Sequence, residues 1–205
     1  MEFRLTYAGE LAAYKDRDKR QKRRHSFHIH DVRKHFHKQL KVLWEQHPIM
    51  RAQKAVLDKK RNFDGRRMHD FIPAFGFEWL PIVTKENGLI CKLDILMLRS
   101  GEPGKVIHDV DNRLKTLFDA LRMPDSKEEL GAGTDRGQAT PDPDEIPFYV
   151  LLQDDREITH VSVTTDTLLQ PVPDVEREEL AARLVVGVTV RPYMPYRENL
   201  GYAAN

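Results

Sequence analysis

A single cysteine, Cys91, in 205 residues excludes an intrachain disulfide, and a reducing cytoplasm is the setting that such usage suggests. Cys91 lies in a strand-like run, where burial suppresses thiolate formation, so it reads as a small core residue rather than a nucleophile. No run approaches the roughly 18 to 20 consecutive apolar residues of a membrane helix. The opening Met-Glu-Phe-Arg-Leu-Thr-Tyr has no apolar signal core, so neither a membrane nor export is expected. Net charge is also nearly missing, at +1. What is present is a 40% apolar share, enough for a core, with 32% charged residues and a mean hydropathy of −0.59. The length suits one mixed α/β domain carrying insertions.

The balance of charge conceals a division. Residues 1–67 hold 19 Lys and Arg against 8 Asp and Glu, a net of +11; the remainder holds 14 against 24, a net of −10. Either the halves pair with each other, or the basic part holds a polyanion while the acidic part recruits a divalent metal. The densest basic run, Lys15 to Arg24, places Lys19, Arg20, Lys22, Arg23 and Arg24 as phosphate contacts or as a solvated helix start. Lys59-Lys60-Arg61 and Arg66-Arg67 are further phosphate candidates.

Residues 2–7 alternate as a first strand. Ile29, Val32, Phe36, Leu40 and Leu43 recur at threes and fours, which predicts a helix over about 27–46 that Pro48 stops. His28 and His30, and His35 and His37, are spaced by two, which puts neighbours on different helix faces, so they read as a polar, DNA-facing group and not as a zinc site. Residues 49–70 are basic and weakly patterned and read as a mobile insertion. Leu89–Arg99 predicts a strand buried on both faces, ended by the Gly101, Pro103 and Gly104 turn. A helix is expected from Asp109 or Asp111 to Arg122, with Leu114, Leu117 and Leu121 on its core face. Met123–Pro147, rich in Pro, Gly and Asp, reads as a disordered or lid-like insertion. Phe148–Leu152 and Glu157–Thr165 predict strands flanking Asp154-Asp155. A helix capped by Asp174 is expected to run to about Arg183, before a closing strand Leu184–Val190.

The acids at these boundaries carry the chemistry. Magnesium takes hard oxygen ligands and keeps several waters, so a few carboxylates and a substrate phosphate suffice; manganese is a possible substitute. Asp109 and Asp111, two apart where extended chain enters a helix, can face one cleft, and the helix N-terminus favours their ionised form. The Asp154-Asp155 turn can supply a third ligand, and Lys115, one turn below Asp111, can hold the scissile phosphate. Taken one at a time, the same acids serve equally well as helix caps and turn residues. No organic cofactor is called for.

Together Asp109-Val-Asp-Asn-Arg-Leu-Lys115, Phe118-Asp-Ala-Leu121 and Asp154-Asp155-Arg-Glu-Ile158 resemble the RusA family of Holliday junction resolvases and related phage and prophage endonucleases, over roughly residues 89–165. The resemblance implies a small mixed α/β fold with a mixed sheet packed by helices, and a homodimer that binds four-way DNA. It also implies magnesium on Asp109, Asp111 and Asp155, and a lysine important for cleavage at Lys115. Arg113, inside the motif, is a nucleic-acid-binding candidate. Two other readings stay open: a nucleic-acid-binding module without catalysis, and a nuclease acting on other structured DNA or RNA in a phage or defence setting.

Overall fold

A computed structural model of the chain describes residues 1–12, 19–58, 68–100, 110–130 and 140–203, with only the backbone course for residues 19–24. The fold is mixed α and β, as the patterning predicts. In chain order the elements are β1 (Glu2–Glu10), α1 (Lys19–Gln46), α2 (Pro48–Asp58), β2 (Ile72–Ala74), β3 (Phe77–Val83), β4 (Leu89–Arg99), α3 (Val110–Leu121), β5 (Phe148–Leu152), β6 (Ile158–Thr167) and β7 (Ala181–Pro192). They build two sheets, one ordered β1-β7-β4-β6 and the other β2-β3-β5. β7 is antiparallel to both of its neighbours, whereas β4/β6 and β3/β5 are parallel pairs. The chain therefore crosses from the small sheet to the large one twice, once from β3 to β4 and once from β5 to β6.

α1 lays Val32, Phe36, Leu40 and Trp44 into a core shared with Leu5 of β1, Leu93 and Ile95 of β4, and Val186 and Val188 of β7. The period of about 3.6 residues drives this helix, since a stripe of that spacing can reach the sheet along its whole length. The helix begins at Lys19, so the second half of the basic run forms its first turns and is not a separate arm. Pro48 does end α1, but it also opens α2, where its fixed φ suits the first helical position and its missing N–H costs nothing. Residues 48–58 are thus helical and anchored by buried Met50 and Leu57, where an unpatterned insertion was expected. Lys59, Lys60, Arg61, Arg66 and Arg67 lie outside the described residues.

One strand differs from expectation, one was not predicted, and one expected helix is missing. β4 is buried on one face only: Leu89, Cys91, Leu93, Ile95 and Met97 are inaccessible, while Asp94 and Leu96 of the other face are exposed. Lys92 and Asp94 on that face are the reason, because uncompensated charge resists a second covering layer. β3 escapes sequence reading because Glu78 and Pro81 interrupt its pattern, yet it pairs with both β2 and β5. The helix expected from Asp174 to Arg183 is absent. Asp174 has φ +59°, unsuited to an N-cap; only a 3₁₀ turn at Glu178–Leu180 precedes β7, whose ladders to β1 and β4 claim the chain from Ala181.

The described parts of the 123–147 insertion are anchored and are not a free lid. Met123 and Leu130 are buried, Lys34 holds the buried Glu145 carboxylate at 2.8 Å, and Lys41 donates to the Asp144 carbonyl at 3.1 Å. Residues 131–139 lie outside the described residues.

Candidate functional site

α3 turns Arg113, Thr116, Leu117, Ala120 and Leu121 inward, a spacing that leaves Asp111 and Lys115 exposed one turn apart on the opposite side. Leu114 is only half-buried, packed at the margin of the core. Asp111 sits in the first helical turn, where the aligned backbone dipoles favour a carboxylate. Asp109 lies outside the described residues.

Contacts along α1 set how the two helices run. His25 Nε2 lies 3.4 Å from Thr116 Oγ1, while Arg33, two turns further along α1, donates to the carbonyls of Asp119 at 2.6 Å and Arg122 at 3.0 Å. Both helices therefore advance in the same direction. The first turns of α1 and the Asp111–Lys115 turn of α3 fall at the same end of the pair. The charge of Lys115 reaches His25, whose pKa is lowered first by burial and then by that charge. The side chains of Lys19, Arg20, Lys22, Arg23 and Arg24 lie outside the description, but their backbone occupies this end.

Arg113 is corrected by its surroundings. Its guanidinium is buried and donates to the Glu179 carbonyl at 2.8 Å, tying α3 to the segment before β7; it does not face solvent. The histidines do not form one DNA-facing group either: His30 and His37 are buried, His28 is half-buried and His35 is exposed. His28 Nε2 accepts from the Ala12 N–H, His35 meets the Thr6 carbonyl, His30 stacks on Phe148, and His37 Nδ1 accepts from the Tyr149 N–H.

Asp154 and Asp155 do not form a hairpin turn, since β5 and β6 belong to different sheets; they occupy the crossing between them. Their roles diverge. Asp154 is the N-cap of a 3₁₀ turn: its Oδ1 accepts from the Arg156 N–H at 3.0 Å, and Glu157 Oε2 accepts from the Asp154 N–H at 3.1 Å. The Arg156 N–H is the main reason that its carboxyl is held below the usual range. Asp155 is exposed, and its carboxyl is pushed up by partial desolvation, by its hydrogen bond with Asp154, and by the charges of Asp154 and Asp119, against the pull of Arg122. Of the pair, Asp155 is the one left for a ligand.

Arg156, in the turn itself, stands 3.8 Å from the Asp154 carboxylate, and a second positive group reaches the crossing from the end of α3, Arg122, which periodicity places only at a helix end. It bonds Asp119 at 2.9 Å, Glu129 at 3.2 Å and Asp125 at 3.1 Å, and its backbone forms a bridge with Leu152 at the end of β5. Three acids within seven residues of one arginine are the signal that marked it. This places Asp155 within the field of the last turn of α3. Asp111 precedes Asp119 by eight residues, a rise of about 12 Å, so an ion shared by Asp111 and Asp155 requires Asp155 to lie along the flank of α3 between them. Hard carboxylates suit magnesium, and a divalent cation would relieve the like-charge crowding at Asp155. Among the described residues, no three His, Cys, Asp or Glu side chains form a group able to hold a metal ion; Asp109, the remaining acid of the implied set, is outside them.

No protein family, curated protein or solved structure matches this chain. No helix among the described residues is long and apolar enough to cross a membrane.

Proposed function

We propose that this chain is a magnesium-dependent endonuclease that hydrolyses phosphodiester bonds in branched DNA, with Holliday junctions as its leading substrate, and that it acts as a cytoplasmic homodimer. One observation carries the reading. The exposed Asp111–Lys115 face of α3 stands at the same end of the helix pair as the basic first turns of α1, so an acidic turn and a phosphate-attracting turn adjoin. The family resemblance supports the same assignment.

Asp109, Asp111 and Asp155 are the residues that would hold the metal, with manganese as a substitute, and the ion would supply positive charge opposite the charge that develops on the scissile phosphate. Lys115 adds a fixed ammonium one turn from Asp111 and holds the phosphate. Lys19, Arg20, Lys22, Arg23 and Arg24 bind the flanking backbone without reading bases. Asp154, engaged as a cap, keeps the turn in shape so that Asp155 projects from it.

The test is cleavage of a labelled four-way junction beside a linear duplex, with and without magnesium. The expected result is metal-dependent nicking of the junction, and junction binding without cutting by Asp111→Asn. Wild-type cutting by Asp111→Asn would remove the ligand assignment. The capping role of Asp154 favours a second reading, a binding module without catalysis; salt-sensitive binding with no cleavage in any divalent metal would establish it.

A further inference from the structure

The two sheets present four outer strands, and three of them are closed. β1 is capped at its midpoint from α1: the Gln39 side-chain oxygen accepts from the Thr6 N–H at 2.9 Å and its Nε2 donates back to the Thr6 carbonyl at 2.7 Å, with His35 on the same carbonyl. β2 has three residues, one of them Pro73. β5 is covered by the Arg122 bridge and by Met123, whose N–H reaches the Leu152 carbonyl at 3.0 Å, while His37 takes the Tyr149 N–H. The fourth, β6, is different. It is ten residues long, pairs on one side only with β4, and no described element lies along its other side. Its sequence, Ile-Thr-His-Val-Ser-Val-Thr-Thr-Asp-Thr, contains no Lys, Pro or Gly. Chains that keep an edge unpaired protect it with lysine, proline, brevity or a bulge along the strand; β6 has no lysine or proline, is ten residues long, and is irregular only at Thr159, which leaves His160 to Thr167 in continuous register.

We propose that β6 is the seam of a two-fold dimer, in which it pairs antiparallel with β6 of a second copy about an axis through Val163. The strand's own side chains select that occupant and that register. His160 and Asp166 are its only ionisable residues, six positions apart, and both stand on the outer face beside Lys92 and Leu98 of β4. With Val163 opposite itself, each His160 faces Asp166 of the other copy, so a ring N–H can donate to a carboxylate at both ends of the seam. Val161 then faces Thr165, and Ser162 faces Thr164. Shifting the axis away from Val163 separates both charged pairs. The half-exposed Val161 would gain a cross-strand neighbour, and the two four-stranded sheets would join into one of eight strands. This seam does not depend on the nuclease reading; it names a surface for the homodimer and stands or falls by association alone.

The experiment uses the full chain. Sedimentation at about 50 µM should give a species of twice the 23.9 kDa chain mass. Directly opposed residues of antiparallel strands lie about 4.5–5.5 Å apart between Cα atoms, within disulfide range. Val163→Cys should therefore cross-link to itself when oxidised glutathione accepts the two electrons of the paired thiols and releases two reduced glutathiones. Thr165→Cys, about 13 Å from its own copy along the strand, should not, and buried Cys91 should give no background. Asp166→Lys should weaken association at least about tenfold, and His160→Glu combined with Asp166→Lys should restore it by exchanging the charges. A chain that stays monomeric at 100 µM, or a dimer in which Thr165→Cys links as well as Val163→Cys, would overturn the proposal.

Discussion

Arg122 clasps Asp119 through both Nε and Nη2, at 3.2 and 2.9 Å, and the same guanidinium reaches Glu129 and Asp125. This joins the last turn of α3 to the segment that follows it, beside the crossing that carries Asp155. Replacing Arg122 with Met leaves the partly buried Asp119 carboxylate without its cation and Glu129 with Arg33 alone, at 4.0 Å. The expected cost is about 2–3 kcal/mol, at the low end for a broken buried pair because Asp125 is exposed. A urea midpoint matching wild type would show that the clasp is not structural.

Acid sensitivity follows from the buried histidines. His28, His30 and His69 are held well below the usual range, at about 4, 3 and 4, chiefly because burial disfavours the cation. The unfolded chain takes up these protons near pH 6.5, whereas the folded protein does so only near pH 3 to 4. Stability is thus fully present above pH 6.5 and is lost as the pH falls towards 4. Urea midpoints measured between pH 7 and pH 4.5 should fall steadily. His30→Phe, which keeps the stacking on Phe148, should make that slope shallower; an unchanged slope would exclude His30 from the effect.

Arg113 and the basic turns of α1 should separate cleanly in binding. Arg113→Gln loses the bond to the Glu179 carbonyl and lowers stability by about 1–3 kcal/mol, with the salt dependence of DNA binding unchanged in the folded protein. Lys22→Ala with Arg23→Ala should instead leave the urea midpoint within about 0.5 kcal/mol and reduce the slope of log K against log salt by about 1.8 for two lost phosphate contacts. Fluorescence anisotropy over a salt series distinguishes them, and the opposite pattern would reverse the roles given to these residues.

Asn87 is the pin of the first sheet crossing. Its side-chain oxygen accepts from the N–H groups of Thr84 and Leu89, and Nδ2 donates to the Ile82 carbonyl. Asn87→Ala should cost about 2–3 kcal/mol, since buried backbone donors lose their acceptor. A thermal midpoint within one degree of wild type would contradict this role.

Periodicity made α1, α3 and the one-strand runs β1, β5 and β6 legible, because in each the apolar spacing and the local propensity agree. β3 was hidden by Glu78 and Pro81, residues tolerated only because β2 and β5 hold the strand from either side. The segment before β7 reads as helical from Asp174 onward, yet Arg177 is fixed to Glu10 through its N–H and Nε, and the long ladders of β7 override the local preference. The division between Asp154 and Asp155 could not be read from two identical side chains. It arises from which of them the turn engages as a cap. Arg113 looked like a phosphate contact because its charge was visible, while the Glu179 carbonyl that absorbs it lies 66 residues away.

Titration of manganese by calorimetry into wild type, Asp111→Asn, Asp155→Asn and the double variant tests the shared ligand role most directly. If the two carboxylates hold one ion, each single variant loses most of the affinity and the double variant loses little more, the non-additivity expected of groups acting on a common ligand. Undiminished manganese binding in either single variant, or losses that simply add, would show that Asp111 and Asp155 do not serve the same metal.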